Sequence, residues 1–466
     1  MGGGASPAAW DEAYAAPGVP REPYAELLDV LEHADLRTLC ESVAGHLARR
    51  GVTFGGETEA RPFALCPLPR LLEAAEWDRL AAGLEQRVRA LNAFVTDAYG
   101  PRRIVAAGLL TDEEIEAAEG YEPDLMGSFP AGAAPVAVAG LDVVRDPEGE
   151  LLVLEDNLRT PSGYAYAAAA REALEATLPG VPRAPRAFAE EMLPALGAAL
   201  RAAAPDPEDA SIVVLTDGPA SSAYYEHAQI ARRLGVPLVT LASLELRGRE
   251  LHLRDAGGMG RRVDVVLRRC DEDRLRDDRG ALTPAAELLL EPWRTGQVAV
   301  LNAFGTGVGD DKVIHAHVEE MIGLYLGEEP LVRSVETFAL GRDPHAVAAV
   351  LAAPEDFVVK PRGGQGGHGV VVGTQASAED LAALAGALRA DPRGWVAQRI
   401  VPLSQMPTVV DGGWAVRHVD LRPFVVSSPT ATLAAPGGLT RVAGQPGSLV
   451  VNSSQDGGGK DTWVLP

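Results

Sequence analysis

Apolar residues recur every three or four positions through Pro23–Arg50 and again through Leu71–Val95, where LLEAAEWDRLAAGLEQRVRALNAFV is interrupted only by Gly83. That spacing lays one apolar stripe along a helix, so residues 20–120 are predicted to be helix-rich. From about residue 134 the period falls to two. Val136–Arg145 and Glu150–Asn157 predict paired strands, and Asp146-Pro147-Glu148-Gly149 between them has Pro and Gly where a type I turn takes them. A Pro/Ala-rich stretch near 179–207, holding one helix, leads to strand Ser211–Leu215, helix Ser222–Leu234, and strands Val236–Leu241 and Val263–Leu267. This rhythm predicts a small parallel α/β unit. Residues 310–402 read as helix, strand, glycine hairpin, helix Ala378–Arg389 and strand Trp395–Ile400, and further strands are predicted at Val419–Val426 and Ser448–Asn452. No internal repeat is present.

Composition narrows the class. The 466 residues are 47% hydrophobic and 23% charged, as in a globular protein of several domains. With 65 acidic against 42 basic residues the net charge is −23, which repels nucleic acid and anionic membranes. Any phosphate site must then be a local basic pocket. Cys40, Cys66 and Cys270 lie far apart, without zinc or disulfide spacing. The chain lacks an apolar run of membrane-spanning length, and its start has no secretory signature, so a soluble cytoplasmic protein is expected. Met1-Gly2-Gly3-Gly4-Ala5-Ser6 fits the loose myristoylation pattern, but no basic cluster follows to supply a second anchor.

The segment Phe357-Val-Val-Lys-Pro-Arg-Gly-Gly-Gln-Gly-Gly-His-Gly369-Val-Val-Val-Gly373 reads as strand, glycine loop, strand. Its glycines free backbone amides to converge on anionic oxygens, and Lys360 adds a cation. The GxGxxG within it is followed by a strand where a dinucleotide fold needs a helix, and no Walker A GKS or GKT occurs. A mobile hairpin over phosphates is the better template; an ordinary flexible hairpin is the bland alternative. If Arg145 faces Glu150 across the turn, Asp142, Glu155 and Asn157 share one sheet face and Asp156 points away. Three oxygen donors without His or thiolate suit Mg²⁺ or Mn²⁺, although a charged exposed face would look the same. Lys312 follows the glycine-rich Asn302-Ala-Phe-Gly-Thr-Gly-Val-Gly309, on a helix capped by Asp310 or Asp311. Asp420 and Arg422 share a strand face, with Arg441 nearby in sequence; these suit either anion clamping or structural salt bridges.

Together these stretches resemble the circularly permuted type 2 ATP-grasp proteins, themselves similar in their core to glutathionylspermidine synthetase. The resemblance runs through RPFALCPLPRLLEAAEW, GLDVVRDPEGELLVLEDNLRTPSG, VDVVLRRCDEDRL, NAFGTGVGDDK, VVKPRGGQGGHGV, MPTVVDGGWAVRHVDLRPFVV and the C-terminal LTRVAGQPGSLVVNSSQDGGGKDTWVL. Metal carboxylates precede the lysines and glycine loop, the permuted order. The resemblance implies an α/β fold of α+β modules: a helical region over 1–125, a metal-binding part of the core over 126–204, an inserted small α/β domain over 205–305, an ATP-binding lid module over 306–402, and closing strands over 403–466. It implies that Lys312 and Lys360 bind ATP, that Gly363, Gly364, Gln365, Gly366, Gly367, His368 and Gly369 form the phosphate lid, and that Asp142, Glu155 and Asn157 hold Mg²⁺ or Mn²⁺. Adenine would lie near Gln398 and Ile400, where Gln398 stands in place of the acidic hinge residue common in ATP-grasp folds, and Arg422 and Arg441 would meet phosphate or acylphosphate. The implied activity is an ATP-dependent carboxylate–amine ligase that forms an amide through an acylphosphate and takes small-molecule or peptide carboxylates and amines. The alternatives are a nucleotide-binding regulatory or scaffolding protein, and a kinase that stops at phosphorylation. Tyr224, Glu226, His227 and Arg268 are candidate liners of the substrate pocket, or else packing and salt-bridge residues.

Overall fold

The computed structural model describes residues 9–55, 60–130, 132–178, 184–254, 260–270, 274–364, 369–449, 451 and 457–466. A nine-stranded sheet forms the centre. Its strands run in the order Thr432–Ala434, Phe424–Ser427, Val138–Arg145, Gly413–Arg422, Leu439–Val442, Gly459–Val464 and Arg70–Leu72. Leu151–Asn157 also pairs with Val138–Arg145, and Gln405–Val410 with Gly413–Arg422. Every pairing is antiparallel except the last, where Gly459–Val464 runs parallel to Arg70–Leu72.

Two of these strands depart from the helical and apolar patterns of the sequence. Arg70–Leu72 begins a segment whose spacing predicts helix, yet the helix runs Ala74–Ala98 and Glu73 is extended. Ladder bonds to Gly459–Val464 and a buried ion pair between Arg70 and Glu12 hold the segment straight. Gly459–Val464 falls within the closing strands expected over 403–466 but is not singled out by its residues, since Gly, Lys and Asp are poor strand formers. Its buried polar residues find partners: the Lys460 Nζ donates to Leu68 O (3.2 Å), Pro407 O (2.9 Å) and the Cys66 sulfur (2.9 Å). The predicted Val419–Val426 strand is two strands, parted at Pro423, which has no N–H for a ladder. At the predicted Ser448–Asn452 strand, Ser448, Leu449 and Val451 are not in strand, while Val450 and Asn452 lie outside the described residues.

The 25-residue helix Ala74–Ala98 buries Trp77, Leu80, Leu84, Val88, Leu91, Phe94 and Val95, the three-and-four spacing of one face. It packs on the helix Val318–Leu326 and on the strands Phe424–Ser427 and Thr432–Ala434. Gly83 is needed there, because a Cβ would meet the Val332 Cβ at 2.7 Å.

A second sheet is parallel throughout, ordered Ala299–Leu301, Val265–Arg268, Ile212–Leu215, Leu238–Val239. Asn302, just beyond its outer strand, ties it to the centre. Its amide nitrogen donates to Val138 O (2.7 Å) and Leu158 O (2.6 Å), and its oxygen accepts from the Ala137 and Val138 N–H groups. A third sheet is antiparallel, ordered Thr337–Ala339, Trp395–Arg399, Phe357–Pro361, Val371–Val372. It has its own small core, in which Leu340, Val350, Phe357, Val359, Leu384, Leu388 and Ala397 are buried. Among the described residues no helix is long and apolar enough to cross a membrane. None of the three cysteines is in a disulfide.

Candidate active site

The Asp146–Gly149 turn forms as its residues dictate, with the Gly149 N–H donating to Asp146 O (3.1 Å) and the Asp146 N–H to Glu150 O (3.0 Å). The register differs from the simple expectation. Arg145 pairs with Leu151 rather than Glu150, and an irregularity between Asp142 and Val143 shifts the ladder again, so Asp142 lies opposite Glu155 and Gly140 opposite Asn157. A bulge is not visible in residue spacing. Its effect is to make Asp142 and Glu155 direct cross-strand neighbours, closer than the expected register would have set them.

These residues open onto a cavity of about 460 Å³ whose walls also carry Lys312, Lys360, Gly363, Gly364, Gln398, Ile400, Arg422 and Arg441. Lys360, on the strand Phe357–Pro361, donates to Glu155 Oε1 at 2.9 Å. Lys312 opens a short helix capped by Asp311, whose carboxylate accepts the Val313 N–H at 2.9 Å, and its Nζ reaches Gly364 O at 3.2 Å. Asp310, the other expected cap, instead accepts the Leu158 N–H (2.6 Å) and pairs with Arg159 (3.1 Å). Arg422 meets both oxygens of Asp142 side-on (2.7 and 2.9 Å). Arg441 bridges Asp142 (2.9 Å) and Asp420 (2.5 and 2.8 Å). The two arginines are therefore held by carboxylates at the cavity wall. Gly369 has φ +73° and packs on Pro361, where a Cβ would come within 2.9 Å. Gln365, Gly366, Gly367 and His368 lie outside the described residues.

The electrostatics follow from these pairs. Burial alone would raise the Asp142 carboxyl, but Arg422 and Arg441 overcome it and hold the group well below the ordinary range. Glu155 is likewise raised by burial and pulled net downward by Lys360 and then Lys312. Asp420 goes the other way, its burial outweighing Arg441. Two carboxylates and an amide, with no imidazole or thiolate, are a donor set for a hard divalent cation. Among the described residues no group of three or more His, Cys, Asp and Glu is arranged to hold a metal, so the Asn157 amide is needed to complete three donors. The Asn157 amide nitrogen is buried without a hydrogen-bond partner; the atom that would meet a cation is its oxygen. Asp142 is committed, and would have to share its oxygens with Arg422 and Arg441.

On the far side of Lys360 the wall turns apolar, with Leu154, Val335, Val358, Val372 and Leu403. Gln398 donates to Leu154 O (3.2 Å) and Thr337 Oγ1 (3.0 Å), leaving its own oxygen buried and unpartnered. At Ile400, the other residue expected near adenine, the backbone N–H donates to Asp356 O at 2.9 Å. Of the candidate substrate liners, Glu226, His227 and Arg268 are buried away from these walls. Glu226 accepts the Gly163 and Ala165 N–H groups (2.8 and 3.0 Å) at the start of the helix Tyr164–Thr177 and pairs with Arg269 (3.0 Å). The His227 Nδ1 lies 2.8 Å from Thr216 Oγ1, and burial lowers its pKa to about 3. Arg268 stacks over Phe304 at 5.0 Å. Tyr224 is half-buried and also off the walls.

Sequence reasoning missed several residues that the fold brings here. Glu119 accepts the Gly364 N–H at 3.0 Å, and Arg362 grips Asp311 (2.9 Å) and Glu114 O (2.7 Å), so the helical region meets the root of the glycine loop. Phe54, Phe63 and Tyr166 also line the cavity. The one available signal was Arg159-Thr-Pro-Ser-Gly163, which begins two residues after Asn157 and returns to the same walls.

A family model for circularly permuted ATP-grasp type 2 proteins matches residues 69–443. An uncharacterized protein of Synechocystis sp. is 40% identical over 472 residues, 98% of this chain and 97% of that one. An uncharacterized protein of Mycobacterium tuberculosis is 39% identical over 468 residues, 98% of this chain and 84% of that one. A Frankia alni protein named putative glutamate–cysteine ligase 2-3 is 43% identical over 468 residues, but the chain spans only 54% of its length. In three dimensions a glutathione synthetase-like effector of Globodera pallida in apo form superposes with a TM-score of 0.59 at 12% identity, over 94% of this chain and 99% of that one, a likeness of fold.

Proposed function

The chain belongs to the circularly permuted type 2 ATP-grasp family, and from that premise we propose that it is an ATP-dependent carboxylate–amine ligase working through an acylphosphate. Family and named relatives together support an ATP-dependent ligase. What carries the finer reading is one cavity where Lys312, Lys360, Gly363 and Gly364 adjoin Asp142, Glu155 and Asn157, in a chain of net charge −23. Cations gathered against so large an acidic background suit a polyphosphate. In this reading Lys312 and Lys360 bind the phosphates, the amides near Gly364 orient them, and Arg422 and Arg441 hold the charge that develops as a carboxylate oxygen attacks the γ-phosphorus and ADP departs. An amine then attacks the carbonyl carbon, and phosphate leaves as the amide forms. A divalent ion held by Asp142, Glu155 and Asn157 would neutralise phosphate charge.

The test is to supply ATP, Mg²⁺, hydroxylamine and pooled acids, measuring nucleotide products and hydroxamates. ADP with a hydroxamate is expected. AMP release would overturn the acylphosphate route, and ADP with no trapped acyl group would favour a kinase that stops at phosphorylation. A nucleotide-binding protein without ligase activity is favoured by one observation, the pairing of Asp142 with Arg422, and would bind ATP without releasing ADP.

A further inference from the structure

Besides Leu154, Val335, Val358, Val372 and Leu403, the cavity wall carries three aromatic rings, Phe54, Phe63 and Tyr166. Its parts follow one another from Gln398 and Val358 to Lys360 on Glu155, across the hairpin to Asp142, and on to Arg422. Beyond Arg422 the wall changes character. The Arg422 Cδ and the Leu439 Cδ2 both close on Gly163, where a Cβ would meet them at 3.8 and 3.5 Å. Leu439 and the Phe63 ring both close on Gly459, at 3.3 and 2.6 Å from where its Cβ would stand. Phe63 lies 5.3 Å, ring centre to ring centre, from Tyr166, which lies 6.0 Å from Phe54 edge-on. The Tyr166 hydroxyl is already spent on Thr53 O (2.9 Å), and Phe63 and Tyr166 are themselves 7% and 3% exposed, so what this wall offers is the partly exposed Phe54 ring backed by the edges of the other two.

Resting on the ligase reading, we propose that this aromatic end is the acyl-donor subsite and that it takes a monocarboxylic acid with an apolar or aromatic body. Its carboxylate would lie beside Arg422, at the junction of the aromatic wall and the metal-ligand hairpin. The argument is one of order and chemistry. A group seated on Phe54, Phe63 and Tyr166 has its polar head next to Arg422 and Asp142, the end at which the acyl bond to phosphate must form. A second carboxylate on the acid's body would be desolvated against three rings, and none of the three supplies a cation or an uncommitted donor to repay that cost. Aromatic walls instead gain from apolar area and ring stacking. A glutamate-like donor is therefore disfavoured.

The experiment titrates 3-phenylpropanoate and, separately, glutarate by calorimetry into the full chain holding Mg²⁺ and a non-hydrolysable ATP analogue. Hydroxamate formation with ATP and hydroxylamine is measured for the same acids. Binding and trapping of 3-phenylpropanoate at least tenfold better than glutarate is expected. Phe54→Ala, at a partly buried position, should weaken 3-phenylpropanoate tenfold or more in both assays while ATP affinity stays unchanged. Preference for glutarate, or an unaltered affinity for 3-phenylpropanoate in both Phe54→Ala and Phe63→Ala, would overturn the subsite while leaving a ligase in place. ATP binding without ADP release or hydroxamate from any acid would remove the ligase reading, and the subsite with it.

Discussion

At the scale of single residues, the site is a set of cations each held by a protein oxygen, which in the proposed reading a phosphate would replace at the two lysines. Lys360 rests on Glu155 and Lys312 on the Gly364 carbonyl, so the two lysines start from different partners. Charge-assisted bonds in such a place are worth roughly 1.5–3 kcal/mol. Lys360→Ala and Lys312→Ala are each expected to weaken ATP binding about tenfold or more, by calorimetry. Unchanged affinity in both would dismiss the pair as phosphate ligands. Asp142 shows why burial matters to the design of such variants. It is 4% exposed and bonded to two arginines, so Asp142→Ala leaves two cations short of a partner, whereas Asp142→Asn keeps the shape. The residue types at these positions were legible in the sequence; their ion-pair partners were not, because Asp142 and Arg422 are 280 positions apart.

At the scale of elements, the hairpin Val138–Asn157 is held from behind. Asp156, between Glu155 and Asn157, points to the opposite face, as the strand period requires, and its carboxylate takes Arg87 Nε and Nη2 (2.7 and 2.8 Å) and His315 Nδ1 (2.7 Å). This joins the hairpin to the long helix and to the short helix that begins at Lys312. Burial would raise the Asp156 carboxyl, but Arg87 and His315 drive it well below the ordinary 3.8. A depressed folded-state value means that the stability it contributes is fully present above the unfolded value and is lost as pH falls through the folded one. Asp156→Asn should therefore cost about 3–5 kcal/mol at neutral pH, since it leaves Arg87 buried without its counter-charge. Urea unfolding at pH 6, 4.5 and 3 should show the gap between the two proteins narrowing once pH drops below about 3.8. A gap that stayed constant with pH would remove the Arg87–Asp156 pair as its cause.

At the scale of the whole molecule, the cavity joins the central sheet and the loops that follow the parallel one, which share their buried clusters, to the third sheet, which has a small core of its own. A ligand that bridges them should stabilise all of them together. With Mg²⁺ and a non-hydrolysable ATP analogue at about 100 times Kd, the linkage gain is about 2.7 kcal/mol. For a chain of this length unfolding as one unit, that raises Tm by about 3 °C. Lys360→Ala at the same ligand concentration should show less; an equal shift would place the ligand elsewhere. The sequence by itself determined what depends on neighbours a few positions apart. The 3.6 period of the long helix, the turn at Asp146–Gly149, the β-α-β rhythm after residue 211, and the lysine and carboxylate types of the site all rest on local backbone geometry and side-chain chemistry. The tertiary structure alone decided what depends on distant partners. It set the bulge that brings Asp142 opposite Glu155, and it made Arg70–Leu72 and Gly459–Val464 strands against their local preferences. It also set the placing of Phe54 and Phe63 beside Tyr166. In each case the deciding energy comes from a ladder, an ion pair or a packed ring contributed by a segment far along the chain, and local periodicity carries no record of it.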